Sequence, residues 1–253
     1  MATKPKRPAK YDLKSADRKR NLAIQIGLTA AVVLFAVALV LYIVMSSDKK
    51  QSGETQAVRV ATANVITKDG SSDPKAVLSL YEDFQCPHCR DFEQAIGPTI
   101  NQLIDNGVIA TDYNMVAILD SATNKNYSTR AASAAYCVGD EDKSANKEAF
   151  RRFHGALFAQ QPPEGSPAPD NTALIETARQ AGAGGGVSEC VTSGKYDDMV
   201  GGLASAAKIT ATPTLRLNGE DITVQTPAEL IAKVKEIVGD VPGLAAPATP
   251  PAS

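Results

Sequence analysis

The chain of 253 residues carries 26 basic and 28 acidic side chains, a net charge of −2, and 43 % of it is apolar. The charge is unevenly placed: residues 1–20 hold eight Lys and Arg against two Asp, a net of +6, whereas everything beyond residue 45 carries −8. So acidic a balance after residue 45 gives no footprint for nucleic acid and argues against lying flat on an anionic membrane surface.

No charged residue stands between Arg20 and Asp48, and within that gap Leu22–Met45 is 24 residues long and apolar except for Gln25 and Thr29. As a helix rising about 1.5 Å per residue it spans roughly 36 Å, enough to cross a hydrocarbon core with tilt. It is too long for an ordinary signal-peptide core, and Ser46-Ser47-Asp48 offers no small-x-small cleavage site. The basic flank keeps the N-terminus in the cytoplasm. The expected organisation is a basic cytoplasmic tail over 1–20, a single-pass transmembrane signal anchor over 21–45, a polar linker over 46–57, one domain over 58–240 lying outside the membrane, and a Pro/Ala-rich, disordered tail over 241–253.

Val58 to Val65 alternates like a strand, and Asp69-Gly70-Ser71-Ser72-Asp73-Pro74 is a turn. A second strand, Ala76 to Tyr81, runs into Glu82-Asp83-Phe84-Gln85-Cys86-Pro87-His88-Cys89. A helix follows through Phe92, Ile96, Ile100, Leu103 and Ile104 to a stop at Asn106-Gly107. Val108 to Leu119 reads as a third strand, which the helical crossover makes parallel to the second. Tyr127 to Ala159 is helical with a break near Gly139-Asp140, and a proline-rich loop covers 161–169. Two more helices, Thr172 to Ala181 and Lys195 to Ala207, flank a glycine run at 182–186. A hairpin of Thr214–Leu217 and Ile222–Val224 turns at Asn218-Gly219, and Pro227 to Val238 is a closing helix. The pattern is α/β, with a block of helices over about 122–208 interrupting the sheet.

The chemistry is concentrated in Cys86-Pro87-His88-Cys89. A thiolate at a helix start meets unpaired backbone N–H groups and the positive end of the helix dipole, both of which favour S⁻. Pro87 suits the first helical position, and a protonated His88 beside the sulfur adds to the stabilisation. A dithiol whose first sulfur is an exposed, stable thiolate prefers to be reduced, so its disulfide oxidises other thiols. Half of a zinc site is the main competitor. Cys137 and Cys190 formally complete four sulfurs but form no second close-spaced pair. Arg90 stands where haem attachment needs His, and a one-turn loop is a poor staple. Ala211-Thr212-Pro213-Thr214 supplies a second signal, a proline opening a central strand. Taken alone it is a trans proline at a strand start; the other resolution is a cis peptide.

With both motifs in order, the chain resembles the DsbA-like disulfide oxidoreductases of the thioredoxin superfamily, and among them the membrane-anchored members found in actinobacteria. The resemblance rests on Asp83 to Cys89, on Ile209 to Leu215 with Asn218-Gly219 behind, and on Ser188 to Tyr196; it covers residues 58–239. It implies a thioredoxin-like fold with an inserted helical domain, Pro213 as the cis-proline, Cys86 as the attacking sulfur that forms the mixed disulfide and Cys89 as the resolving one. It also implies substrate backbone bonding at Thr212. Partners would be reduced secreted proteins and a quinone-linked membrane oxidase of the DsbB or vitamin-K-epoxide-reductase (VKOR) type.

Glu82 and Asp83 are candidates for proton relay to Cys89, with Asp83 slightly favoured by the family pattern and a solvated turn acid the plainer reading. Cys137 and Cys190 are expected to form a structural disulfide, a second redox pair being the minority reading. His154 reads as an ordinary helix histidine near the core edge. The whole points to an extracytoplasmic thiol:disulfide oxidase needing neither metal nor dissociable cofactor. A reductase or isomerase on the same fold, and a non-catalytic thioredoxin-like binding module, are the alternatives.

Overall fold

The structure, a computed structural model, describes residues 57–240. The expected basic tail, membrane anchor and C-terminal tail, and all but the last residue of the linker, lie outside the described residues. Among those described, no helix is long and apolar enough to cross a membrane. Two strands come first, β1 (Val58–Val60) and β2 (Val77–Glu82), followed by helices α1 (Pro87–Ala95) and α2 (Gly97–Asp105) and strand β3 (Ala110–Met115). Five helices intervene: α3 (Tyr127–Glu141), α4 (Glu148–Ala159), α5 (Asn171–Gln180), α6 (Gly186–Ser193) and α7 (Asp197–Ala206). Strands β4 (Thr214–Leu217) and β5 (Glu220–Ile222) and helix α8 (Pro227–Val238) complete the chain.

The sheet order is β1-β3-β2-β4-β5, with β2 in the middle, parallel to β3 and antiparallel to β4. A strand so placed is covered on both faces, which is why its sequence is nearly continuous in apolar residues; Leu78, Leu80, Tyr81 and Glu82 are all buried. Ile100, Leu103 and Ile104, at helical spacing, pack into the same core. The fold is thus a mixed α/β, thioredoxin-like sheet with a helical insertion between β3 and β4.

Four of the boundaries that differ from expectation have a clear local reason. The helix after the cysteine motif splits at Ile96 (φ −118°, ψ −26°), because Pro98 has no N–H to bond to the turn before it. β1 pairs with β3 only from Val58 to Val60, after which Val65 turns back onto the Thr62 carbonyl. β3 ends at Met115, because the amides of Ile118 and Leu119 bond to the Asp83 carboxylate (2.8 and 3.0 Å) rather than to a neighbouring strand. The hairpin turn takes only Asn218 and Gly219, both at positive φ, so β5 begins at Glu220 and not at Ile222.

The glycine at 139 does not break its helix. α3 runs on to Glu141, and a Cβ at Gly139 would lie 2.6 and 2.8 Å from the Val58 methyls. The residue is there to let the helix lie against β1, and the break falls instead after Asp142, whose carboxylate accepts from Phe150 N (3.1 Å) in α4. Cys137 of α3 and Cys190 of α6 are joined by a disulfide across 53 positions.

Alanine favours helix over glycine by about 1 kcal/mol, yet at this contact the added methyl would overlap the Val58 side chain. Gly139→Ala is expected to destabilise the protein by about 1–3 kcal/mol, read as a lower urea midpoint. A midpoint equal to or above that of the unchanged protein would contradict the packing role.

Candidate active site

The first turn of α1 is built around sulfur. Cys86 is the N-cap, in extended conformation (φ −77°, ψ 116°), and Pro87 follows at the first helical position, where a missing N–H costs nothing. The Cys86 carbonyl accepts from Cys89 N (3.1 Å) and Arg90 N (3.2 Å), which starts the helix. Cys86 is 6 % exposed and Cys89 is not exposed at all, and both are free thiols. The expected exposed cysteine is therefore nearly covered, because two loops close over it.

One of these loops carries the cis peptide between Thr212 and Pro213. In the thiol form Cys86 Sγ donates to the Thr212 carbonyl (3.3 Å). The other is the proline-rich loop, from which Gln161 Nε2 donates to the Cys86 carbonyl (2.9 Å). Gln85 anchors that loop in return, donating to the carbonyls of Pro163 (3.1 Å) and Ser166 (3.4 Å).

The two sulfurs are driven apart electrostatically. Cys86 is pulled down to about 6, first by the Cys89 thiol, which donates to its sulfur. The buried Thr212 hydroxyl, which no other group engages, and the backbone amides of Cys89 and His88 add to this against the opposing effect of partial burial. Cys89 is pushed far above the ordinary thiol range, first by burial, then by its hydrogen bond to Cys86 and the charges of Glu82 and Cys86. The resting dithiol is a nearly covered thiolate and a fully buried thiol beside it. His88 takes part through its backbone amide, while its ring is exposed.

The carboxyls below the motif divide as sharply. Asp83 spends its carboxylate on four donors: Gln85 N (2.9 Å) and Ser128 Oγ (2.6 Å) on one oxygen, and the amides of Ile118 and Leu119 on the other. Burial raises its pKa and those four bonds pull it back. It holds the loops, and what it offers Cys89 is its backbone N–H. Glu82 faces the sulfurs and is pushed up to about 8, mainly by burial, with the Cys86 charge adding to it. The family pattern pointed slightly to Asp83 as the relay; the geometry favours Glu82, since the Asp83 oxygens are fully engaged.

His154 is not at the core edge. It is buried among the rings of Phe84, Tyr113, Phe150 and Phe158, and its Nε2 lies 3.0 Å from Glu82 Oε2. Glu93, which no sequence motif singled out, completes the group: donor atoms of Glu82, Glu93 and His154 lie within 4.8 Å of one another. Its signal was positional, since Glu93 stands four residues after Cys89 on the helix face that also buries Phe92 and Ile96. Gln85, Gln161 and the Thr212 hydroxyl were also missed, because loop contacts over such distances leave no local pattern. Cys137 and Cys190 lie in the helical insertion and take no part in the cluster around Cys86.

Alkylation of the reduced protein against pH is expected to show a Cys86 midpoint near 6, well below the free-thiol value of about 8.5. Thr212→Val removes one donor to the anion and should move the midpoint upward. A midpoint near 8.5, or one that Thr212→Val lowers, would contradict this electrostatic arrangement.

The comparisons agree with this geometry. A family model described as Thioredoxin matches residues 65–236. The chain is similar to reduced DsbA from Mycobacterium tuberculosis, at 56 % identity over 74 % of this chain and 94 % of that one, with a TM-score of 0.70. It is also similar to the reduced disulfide bond oxidoreductase DsbG of the same organism, at 55 % identity over 77 % and 94 %, with a TM-score of 0.71. A 142-residue stretch is 29 % identical to the serine/threonine-protein kinase PknE of Mycobacterium tuberculosis. It covers 54 % of this chain and 25 % of the kinase, so the match spans about a quarter of the length of that curated relative. With a buried dithiol split into thiolate and thiol beside a cis-proline, and with these matches over most of its length, the chain belongs to the thioredoxin family and is a DsbA-like thiol:disulfide oxidoreductase.

Proposed function

We propose that the protein works as an oxidase, introducing disulfides into reduced secreted proteins from a membrane-tethered position outside the cytoplasm. The observation that carries the direction is the Cys86 thiolate, held near 6. A stabilised thiolate is a good leaving group and favours the reduced enzyme, so the disulfide passes on its oxidation. One pKa unit corresponds to about 1.4 kcal/mol, or about 30 mV for this two-electron couple. A thiolate lowered to about 6 moves the couple in the oxidising direction from an ordinary dithiol, into the range that opens with thioredoxin, near 7 and about −270 mV. It falls short of the DsbA whose thiolate titrates near 3.5 at about −120 mV. A couple between these limits still oxidises substrate thiols, provided that the dithiol is itself reoxidised. The partner of the proposal is therefore a quinone-linked membrane oxidase, and the apolar segment over 21–45 supports the shared membrane.

In the disulfide form, a substrate thiolate attacks Cys86 Sγ. The Cys86–Cys89 bond breaks, Cys89 leaves, and Glu82 supplies the proton that makes it a thiol. A second substrate thiolate then attacks the substrate sulfur of the mixed disulfide, Cys86 leaves as the thiolate, and the substrate carries the new disulfide. In reverse, Cys89 gives its proton to Glu82 and resolves a stalled complex. The backbone beside Pro213 holds the substrate chain extended, in the manner of an added strand.

Equilibration of the full chain with glutathione should give a potential between about −270 and −120 mV. Cys89→Ala should accumulate mixed disulfides on Cys86 and Cys86→Ala none, and Glu82→Gln should slow the release of Cys89 by about a hundredfold. A potential at or below that of thioredoxin would replace the oxidase by the reductase reading.

A further inference from the structure

Glu82 is buried under the dithiol, so a proton it gives to Cys89 must be replaced from elsewhere. The side chains of Glu82 and His154 are 3 % and 4 % exposed, whereas that of Glu93 retains 13 %. Oε1 of Glu82 and Oε1 of Glu93 are both buried and have no hydrogen-bond partner, although the two carboxyls and the imidazole converge within 4.8 Å. Two orphaned carboxyl oxygens in one dry cluster are accounted for if a proton is shared between the groups, since burying an unpartnered acceptor is costly. His154 lies between them, with Nε2 on Glu82 Oε2 at 3.0 Å and Nδ1 turned to Glu93 Oε2 at 3.9 Å. The ring is hydrogen-bonded to Glu82 and turns its other nitrogen toward Glu93, rather than aiming one nitrogen with both carboxyls at a common centre.

The backbone makes room for this arrangement. A Cβ at Gly97 would sit 2.6 Å from Glu93 Oε2, so the glycine after the Ile96 break is what lets the Glu93 carboxyl turn inward.

We propose that Glu93, with its carboxyl placed by Gly97 and facing His154, is the positioning residue through which Glu82 exchanges protons with solvent during thiol–disulfide exchange. When Cys89 leaves, Glu82 protonates it, Glu93 passes its proton to the Glu82 carboxylate, and water at the exposed edge of Glu93 restores the pair. Resolution runs the same transfers in reverse. Burial pushes both carboxyls up to about 8, with the Cys86 charge adding at Glu82 and the Glu82 charge adding at Glu93, so each holds its proton at neutral pH. The titratable groups facing the pair are Cys86 and Cys89 from the first turn of α1, His154 from α4, and Tyr113 from β3, itself kept protonated first by burial and then by the Glu93 and Glu82 charges. Arg151 and Asp105 act on that tyrosine from farther away.

The inference rests on Glu82 as the relay, and the experiment separates the two claims. The full-length protein, oxidised at Cys86 and Cys89, is mixed with a reduced two-cysteine peptide, and the half-reaction is followed by stopped flow from pH 5 to 9. Glu93→Gln and Gly97→Ala, the second of which changes no titratable group, should each slow the reaction about tenfold at pH 7, less than loss of a direct acid–base group. Each should also displace or abolish the bend near pH 8 in the rate profile, while the Cys86 alkylation midpoint stays where it was. His154→Gln, which keeps a donor for Glu82, should preserve more of the rate than His154→Phe. If Glu82→Gln slows exchange but Glu93→Gln and Gly97→Ala keep the native rate and profile, the proposal is overturned and the Glu82 relay stands. If Glu82→Gln is itself without effect, both fall. If Glu93→Gln shifts the Cys86 midpoint in step with its rate, Glu93 acts on the thiolate directly and the proposal is again overturned.

Discussion

A single hydrogen bond, from the Cys89 thiol to the Cys86 sulfur, sets the terms for the rest of the molecule. It asks one sulfur to be an anion and the next, one turn in, to remain a thiol. The first needs donors, which the helix start supplies without any side chain; the second needs to be dry, which places it against β2. A further charge beneath them would undo the arrangement. A carboxylate beside the thiolate would oppose it by like-charge repulsion, which is stronger in a dry site than in water. Holding Glu82 neutral is thus a condition for Cys86 to be charged, and the apolar surroundings that keep Glu82 neutral are those that keep Cys89 a thiol.

The walls of this compartment explain the aromatic content of α4. Phe150 and Phe158 are buried, and with Phe84 and Tyr113 they surround the His154 ring and keep water from it. The polar groups left inside must satisfy one another. Those two requirements, dryness and mutual satisfaction, tie the helical insertion to the sheet, because His154 belongs to the insertion and Glu82 to the central strand.

What could be read from the residues alone was whatever is local. Cys86 at a helix start, Asn218-Gly219 as a two-residue hairpin and the apolar run of β2 each announce themselves within a few positions. The cis form of Thr212–Pro213 was legible only because the dithiol motif preceded it; the proline by itself favoured trans. Contacts across the chain left no such trace. Gly139 looks like a helix breaker until Val58 is seen against it. Pro98 falls inside an apolar helical pattern that masks it. Glu93 and His154 are 61 positions apart, the first singled out by no motif and the second reading as an ordinary helix histidine, and only the packing of α4 on α1 makes them neighbours. Asp83 misled for the opposite reason: its place in the motif is conspicuous, but its two oxygens are already taken by four donors.

That saturated carboxylate has a wider meaning for how such a fold can be rebuilt. Asp83 sits three residues before the first cysteine, and its donors come from the chain leaving β3 and from the first turn of α3, where the helical insertion departs from the sheet. The exit angle of the insertion and the pose of the dithiol are therefore one geometric variable. A helical block transplanted from another member of the fold would have to bring two consecutive amides and a hydroxyl to this one side chain. Without them, the graft could be well packed and still hand the sulfurs a misplaced floor.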